Sequence, residues 1–341
     1  MMASGFRDTL QLASRLTTRR IWNGAQVWSS YVRSRMQGVP HVSGMPISIS
    51  IEPTTSCNLR CPECPSGLRS FTRPTGMLDK ALFEKVMAEL SPTLSYLIFY
   101  FQGEPYLHPG FLDMVQAASR RGIYTATSTN AHFLDEDKAR ATITSGLDRL
   151  IISIDGTSQD TYSAYRVGGN LDKVLDGTRT LLRVRKEMRS ATPHVVFQFL
   201  VVKPNEHQVP DVYALAKELG VDGVWLKTAQ IYDYHNGSPL IPDQAEFSRY
   251  QKSEDGTYRI KNQLLNHCWK MWHSCVITWD GRVVPCCFDK DAHHVMGDLK
   301  SQSFRDIWFS PRYRDFRATL LRSRSEIEMC RNCTEGTKVW A

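Results

Sequence analysis

The stretch Ile47-Ser48-Ile49-Ser50-Ile51-Glu52-Pro53-Thr54-Thr55-Ser56-Cys57-Asn58-Leu59-Arg60-Cys61-Pro62-Glu63-Cys64 carries two signals in succession. Residues 47–51 alternate isoleucine with serine, which is the period of a strand. Pro53 closes that run, and three cysteines follow at C-x3-C-x2-C spacing. Three thiolates this close together grip a metal centre from three points and leave one ligand position open. No fourth Cys or His follows nearby to complete a structural zinc site.

This strand is the first of a series. Strand-like runs recur at 96–101, 124–128, 150–154, 195–202 and 224–227, and helical patterns lie between them at 80–90, 111–121, 136–145, 171–189 and 209–219. Six such repeats predict an α/β fold with a parallel sheet, curved or closed, and helices outside it. Functional groups of such folds gather where the strands end. That rule places residues 57–64, Gly103-Glu104-Pro105, Ser128-Thr129-Asn130, Ser153-Ile154-Asp155-Gly156 and 227–230 on one rim.

Beyond about residue 240 the pattern changes. Val276-Ile277-Thr278-Trp279, Asp280-Gly281 and Arg282-Val283-Val284 read as a β-hairpin, since Asp-Gly between β-formers is a strong turn signal. A helix is expected over 303–321, followed by Cys330-Arg331-Asn332-Cys333. The chain thus divides into an arm (1–46), a repeat domain (47–240) and a smaller cysteine-bearing region (241–341). All nine cysteines fall in two groups, with none between 64 and 268. An odd, clustered set in a large chain fits metal sites better than a disulfide framework.

The net charge is +7, but residues 1–46 hold Arg7, Arg15, Arg19, Arg20, Arg33 and Arg35 against Asp8 alone. The rest is nearly neutral, which argues against nucleic acid as a partner. No apolar run is long enough to span a bilayer, and charges interrupt any secretory-type segment. The body is expected to be cytoplasmic. Residues 5–35 read as a helix with Ile21, Ala25, Trp28 and Val32 in one stripe. Three readings stay open for this arm: peripheral contact with a membrane surface, packing on the body, or an organelle presequence.

On these residues the chain resembles the radical SAM superfamily, whose C-x3-C-x2-C signature it matches without a gap. The resemblance implies a partial (β/α)6 TIM-like barrel. It also implies a [4Fe–4S] cluster on Cys57, Cys61 and Cys64, with the open iron holding S-adenosylmethionine. Gly103-Glu104-Pro105 stands where the family has GGEP, with Gln102 replacing the first glycine; the backbone there meets the amino group of S-adenosylmethionine. Ser153 and Arg166 match positions that hold its carboxylate, and a guanidinium fork suits a carboxylate. Ser128, Thr129 and Asn130 look like ribose or methionine contacts.

Cys268, Gly281, Cys286 and Cys330-x2-Cys333 resemble the SPASM/twitch extension of the same superfamily. No cysteine follows Cys333, so the resemblance implies one auxiliary [4Fe–4S] cluster on Cys268, Cys286, Cys330 and Cys333. Cys275 and Cys287 are the alternatives to Cys268 and Cys286, and a four-cysteine zinc site is the alternative occupant. The implied chemistry is reductive cleavage of S-adenosylmethionine to a 5′-deoxyadenosyl radical, then hydrogen abstraction from a substrate. Oxidation or crosslinking results, with the auxiliary cluster taking or relaying the electron. A flavodoxin or ferredoxin would supply electrons, and Asp233 or Asp289 could take the released proton. The substrate stays open between a small molecule, a lipid-linked molecule and a peptide. The competing reading is a non-catalytic metalloprotein, zinc-stabilised or electron-transferring.

Overall fold

The six predicted strands are β1 (Ser48–Ile51), β2 (Tyr96–Ile98), β3 (Tyr124–Thr129), β4 (Arg149–Ser153), β5 (His194–Val201) and β6 (Gly223–Thr228) in a computed structural model. The structure describes residues 2–334; Met1 and residues 335–341, the end of the predicted third region, lie outside the described residues. The six strands pair in parallel in chain order. The connecting helices start where sequence chemistry says they should. Asp79, Asp135 and Asn170 each accept a backbone N–H in the first turn of the helix they cap. One face of each helix is apolar and buried, as with Phe83, Val86, Met87 and Leu90. These residues meet Ile49, Leu97, Leu150, Val195 and Phe197 of the sheet in one core. Each fully buried Leu or Phe there contributes about 1.5–3 kcal/mol.

The sheet continues past the repeats. A small antiparallel pair, β7 (Tyr250–Lys252) and β8 (Tyr258–Ile260), stands apart. The predicted hairpin is β9 (Ser274–Ile277) and β10 (Arg282–Val284), turning at Gly281 with φ +90°. β9 lies parallel to β1, with Ser48 opposite Ser274 and Ile51 opposite Ile277. β11 (Gly297–Asp298) then pairs with β10, giving the order β11-β10-β9-β1-β2-β3-β4-β5-β6. The hairpin is therefore built into the barrel wall.

Two long helices read from the sequence are each broken. Residues 303–321 form Phe304–Trp308 and Pro311–Arg322, because Pro311 has no N–H to continue the first helix, and Ser310 caps the second. The arm forms α1 (Met2–Ser14) and α2 (Thr18–Gln37), with Thr17 accepting the N–H of Arg20 as the cap of α2.

The arm packs on the barrel at the end where the strands begin. Asp8 pairs with Arg149 and accepts the Tyr124 hydroxyl. Gln11 Nε2 and Arg15 Nη2 donate to Asp148 at 2.8 and 2.9 Å. The buried Arg20 guanidinium donates to carbonyls of Arg15, Ser91, Arg121 and Gly122. Ser91 and Arg121 end two barrel helices, where a cation meets the negative ends of their dipoles. The docked face of α2 is Arg20, Asn23, Val27, Ser30, Tyr31 and Ser34. The stripe of Ile21, Ala25, Trp28 and Val32 is split: Ile21 and Ala25 are exposed, whereas Val32 packs against the cluster around Tyr31 and Trp272, and Trp28 meets Trp269 edge-on. Among the described residues no helix is long and apolar enough to cross a membrane.

Candidate active site

The loop after β1 carries Cys57, Cys61 and Cys64 to the C-terminal rim of the strands, opposite the arm. The three sulfurs border one cavity, and Glu104, Ser128, Asn130, Ser153 and Arg166 border it with them. Residues from four separate strand ends, predicted from sequence to share a rim, are thus brought to one space.

Gly103 is fixed by two constraints. Its φ is +76°, and a Cβ there would sit 2.2 Å from the carbonyl oxygen of Thr54. Only glycine fits such a close approach. The contact presses the Gly103-Glu104-Pro105 turn against the strand that leads into the cysteine loop, and Glu104 N donates to Ser56 O at 2.8 Å. Pro105 opens a short 3-10 turn, where its missing N–H costs nothing. The Glu104 carboxylate is buried and accepts from Tyr106 N, Thr129 Oγ1 and Asn130 N at 3.2, 2.8 and 2.8 Å. Three of its roughly four acceptor sites are therefore spent, two tying the β2 loop to the end of β3 and one capping its own turn. Burial outweighs these donors and pushes its carboxyl up to about 7.

Asn130 donates from Nδ2 to Asn58 Oδ1 at 2.7 Å and lies 4.0 Å from Cys57 Sγ. The next residue, Ala131, has φ +61°, a strained geometry for a residue with a Cβ. Ser128 and Ser153 hydroxyls are 3.3 Å apart. Arg166 closes the cavity wall. Its Nε pairs with the buried Asp155, and its Nη1 lies 3.8 Å from Cys61 Sγ. Asp155 also accepts Leu200 N at 2.7 Å, so it aims the guanidinium.

Sequence reasoning missed several of these parts. Asp155 was quoted as a rim residue without a role. Gln198 borders the cavity from β5, and its signal was one polar residue inside the apolar run 195–202. Arg73 had no signal. It forms a bidentate pair with the buried Glu52 at 2.6 and 2.8 Å, and Glu52 also accepts Trp279 N, tying the loop to the hairpin.

The second cysteine group also assembles. Cys268, Cys330 and Cys333 lie within electrostatic reach of the buried Arg324, whose Nη2 is 3.2 Å from Cys333 Sγ. Cys286 lies within reach of Cys268 and is hydrogen-bonded to Cys287. Cys275 instead points into the main core on β9, near Arg317. Cys287 lies 3.7 Å from Lys270 Nζ.

Among the described residues no three His, Cys, Asp or Glu side chains close on one point as the ligands of a single ion do. Cys57, Cys61 and Cys64 instead border one shared cavity, which fits a cluster, whose thiolates sit on separate irons. Burial pushes Cys57 up to about 11 and Cys330 up to about 12, so loading a metal centre displaces thiol protons.

The two candidate bases differ. Asp233 is exposed and is not among the residues that line the cavity of Cys57, Cys61 and Cys64. Asp289 is buried, and its two oxygens accept the N–H groups of His293 and His294 at 2.8 Å. It borders a second cavity of about 500 Å³, together with Pro65, Leu68, Tyr232, Lys290 and Met329. That cavity lies between the first cysteine loop and the C-terminal region.

Comparison with known proteins agrees with this arrangement. The radical SAM superfamily matches residues 51–222, and an iron-sulfur cluster-binding domain, SPASM, matches residues 268–334. The chain is 28% identical over 310 residues to a tungsten-containing aldehyde ferredoxin oxidoreductase cofactor-modifying protein of Pyrococcus furiosus, covering 78% of this chain and 82% of that one. It is 26% identical over 319 residues to a PqqA peptide cyclase of Gluconobacter oxydans, covering 86% and 84%. The structure of Streptococcus suis SuiB bound to S-adenosylmethionine shares the fold at a TM-score of 0.62 and 12% identity, over 85% of this chain and 71% of that one. The cysteine-lined rim, the sheet that carries it and these matches agree: the chain is an enzyme of the radical SAM superfamily, with a SPASM domain built onto its barrel.

Proposed function

We propose that this enzyme oxidises or crosslinks a peptide side chain by hydrogen abstraction. The observation that carries the reading is the cavity that Cys57, Cys61 and Cys64 share with Glu104, Ser153 and Arg166. A [4Fe–4S] cluster on the three thiolates, when bound, supplies the electron that splits S-adenosylmethionine into methionine and a 5′-deoxyadenosyl radical.

The protein's own residues do the positioning. The Gly103 turn brings backbone groups against the cysteine loop, where an ammonium can be met. Arg166, aimed by Asp155, offers the rest of its fork to a carboxylate. Ser128, Ser153 and Asn130 supply hydroxyl and amide contacts for the rest of the nucleoside and methionine. Cys268, Cys286, Cys330 and Cys333 would hold one auxiliary cluster, with Arg324 offsetting thiolate charge. This cluster would take or relay the electron of an oxidation. Asp289 is better placed than Asp233 to receive the proton, because it borders the cavity between the two cysteine groups.

A peptide substrate is supported by the relatives, among them a PqqA peptide cyclase and a SuiB structure bound to precursor peptide SuiA. The cavity of about 500 Å³ mixes Tyr232, Tyr234 and Phe288 with charged groups, which suits a side chain presented on a backbone. A flavodoxin or ferredoxin is the proposed donor. The units of function are residues 1–46, 47–240 and 241–341.

The test is anaerobic reconstitution with iron and sulfide counting and a 5′-deoxyadenosine assay on reduction. About eight irons per chain and 5′-deoxyadenosine formation are expected. Four irons would remove the auxiliary cluster, and no 5′-deoxyadenosine would sink the catalytic assignment.

A further inference from the structure

The arm leaves apolar side chains exposed on the face turned away from its own protein, where a helix pair that only packs would be polar. Its inward face mixes polar and apolar groups: Asp8 and Gln11 of α1, Arg15 just after it, and Arg20, Asn23, Ser30 and Ser34 of α2 meet the body or turn toward it, beside Val27 and Tyr31, which pack in an apolar cluster with Met271 and Trp272. Its outward face carries an apolar stripe among polar and basic residues. Phe6 and Leu10 stand one helical turn apart on α1, exposed at 65% and 52%. Ile21, Trp22 and Met36 stand out of α2 at 58%, 68% and 81%, beside the exposed Ala25. Arg7, Arg19, Arg33 and Arg35 are also exposed. The one acid of residues 1–46, Asp8, is buried in its pair with Arg149. Every exposed formal side-chain charge among the described arm residues is therefore positive.

We infer that the outward face of α1 and α2 is a docking surface for an anionic lipid bilayer. An apolar stripe edged by arginine and carrying an aromatic ring is what a helix lying in the lipid interface presents. A second copy of the same face would bring like charges together, so charge favours anionic lipid over self-association. The inward ion pairs hold the arm on the barrel, so the helices dock flat. Because α1 sits where the strands begin, docking turns the cysteine rim away from the membrane and toward the aqueous side. This inference rests on the arm alone and goes beyond the chemistry proposed for the rim.

The experiment uses full-length reconstituted protein in flotation assays. One set of vesicles is phosphatidylcholine with an equal part of phosphatidylglycerol, and the other is phosphatidylcholine alone. The protein should float with the anionic vesicles and be released at about 0.5 M salt. The variant Arg19→Gln/Arg33→Gln/Arg35→Gln should bind more weakly on the order of a hundredfold. The variant Ile21→Ser/Trp22→Ser/Met36→Ser should lose about tenfold or more. Both should keep the wild-type melting temperature and 5′-deoxyadenosine yield, since these side chains are outside the core and the site. Equal binding to both vesicle types, or wild-type binding by both variants, overturns the proposal. A dimer abolished by the apolar variant, with no vesicle binding, also overturns it and assigns the face to a second copy. Vesicle binding without 5′-deoxyadenosine formation would strike the catalytic reading and support this one.

Discussion

Arg166 is paired before any ligand arrives, because Asp155 is buried and faces it. Removing the arginine leaves that carboxylate uncompensated, at a cost of about 3–5 kcal/mol. Arg166→Ala should therefore lower the melting temperature and abolish S-adenosylmethionine cleavage together. The double variant Asp155→Asn/Arg166→Met should regain most of the stability and none of the cleavage. If the double variant cleaves normally, Arg166 is structural only. His273 gives a second residue-level expectation. Burial, with Lys270 nearby, pushes its imidazole down to about 4, below the roughly 6.5 of an unfolded histidine. Between those values the unfolded chain binds the extra proton. The contribution to stability is complete above about pH 6.5 and is lost as pH falls to about 4, by about 3 kcal/mol. His273→Asn should flatten that slope, read as the difference in urea midpoint between pH 7 and pH 5. Neither residue's burial shows in sequence. Arg166 was legible as a motif position, whereas its pairing with Asp155, 11 residues earlier, and the setting of His273 depend on how the strands come together.

At the scale of elements, local chemistry read well and long-range pairing did not. The alternating run at 47–51, the Asp280-Gly281 turn and the six strands appear where their patterns place them, because each signal is complete within a few residues. The two long helices that broke did so at residues whose effect is local but easily overlooked, Thr17 as a cap and Pro311 as a break. The parallel pairing of β9 with β1 had no local signal at all. The split of the stripe, Ile21 and Ala25 outward and Val32 against the body, was also hidden, since periodicity identifies a face but not what it meets. Arg20 settles that orientation by collecting carbonyls at the ends of two barrel helices. Arg20→Met should cost about 3 kcal/mol, given that each bond from a charged donor is worth roughly 1.5–3 kcal/mol and the bonds are not additive. Faster tryptic cutting between α1 and α2 should accompany the loss. Arg20→Lys should recover only part of it, because a point charge cannot span both helix ends.

At the scale of the whole molecule, one sheet carries both cysteine groups' supporting strands, and Glu52 binds Arg73 and Trp279 across the join. The barrel and the C-terminal region should then unfold together. Urea titration followed by far-ultraviolet circular dichroism, and by cluster absorbance in reconstituted protein, should give one coincident transition. Two separated transitions would show that the hairpin is only laid against the wall.

The place of β9 beside β1 also bears on synthesis. Ser48 leaves the ribosome long before Ser274, its neighbour in the finished sheet. At roughly 5–20 residues per second that interval is on the order of ten seconds or more. Throughout it, one edge of β1 has no strand beside it and the cysteine loop lacks the wall that Arg73 and Trp279 complete. A chain in this state exposes that edge to other chains, and a cluster loaded on Cys57, Cys61 and Cys64 before β9 pairs would sit in a loop whose wall is unfinished.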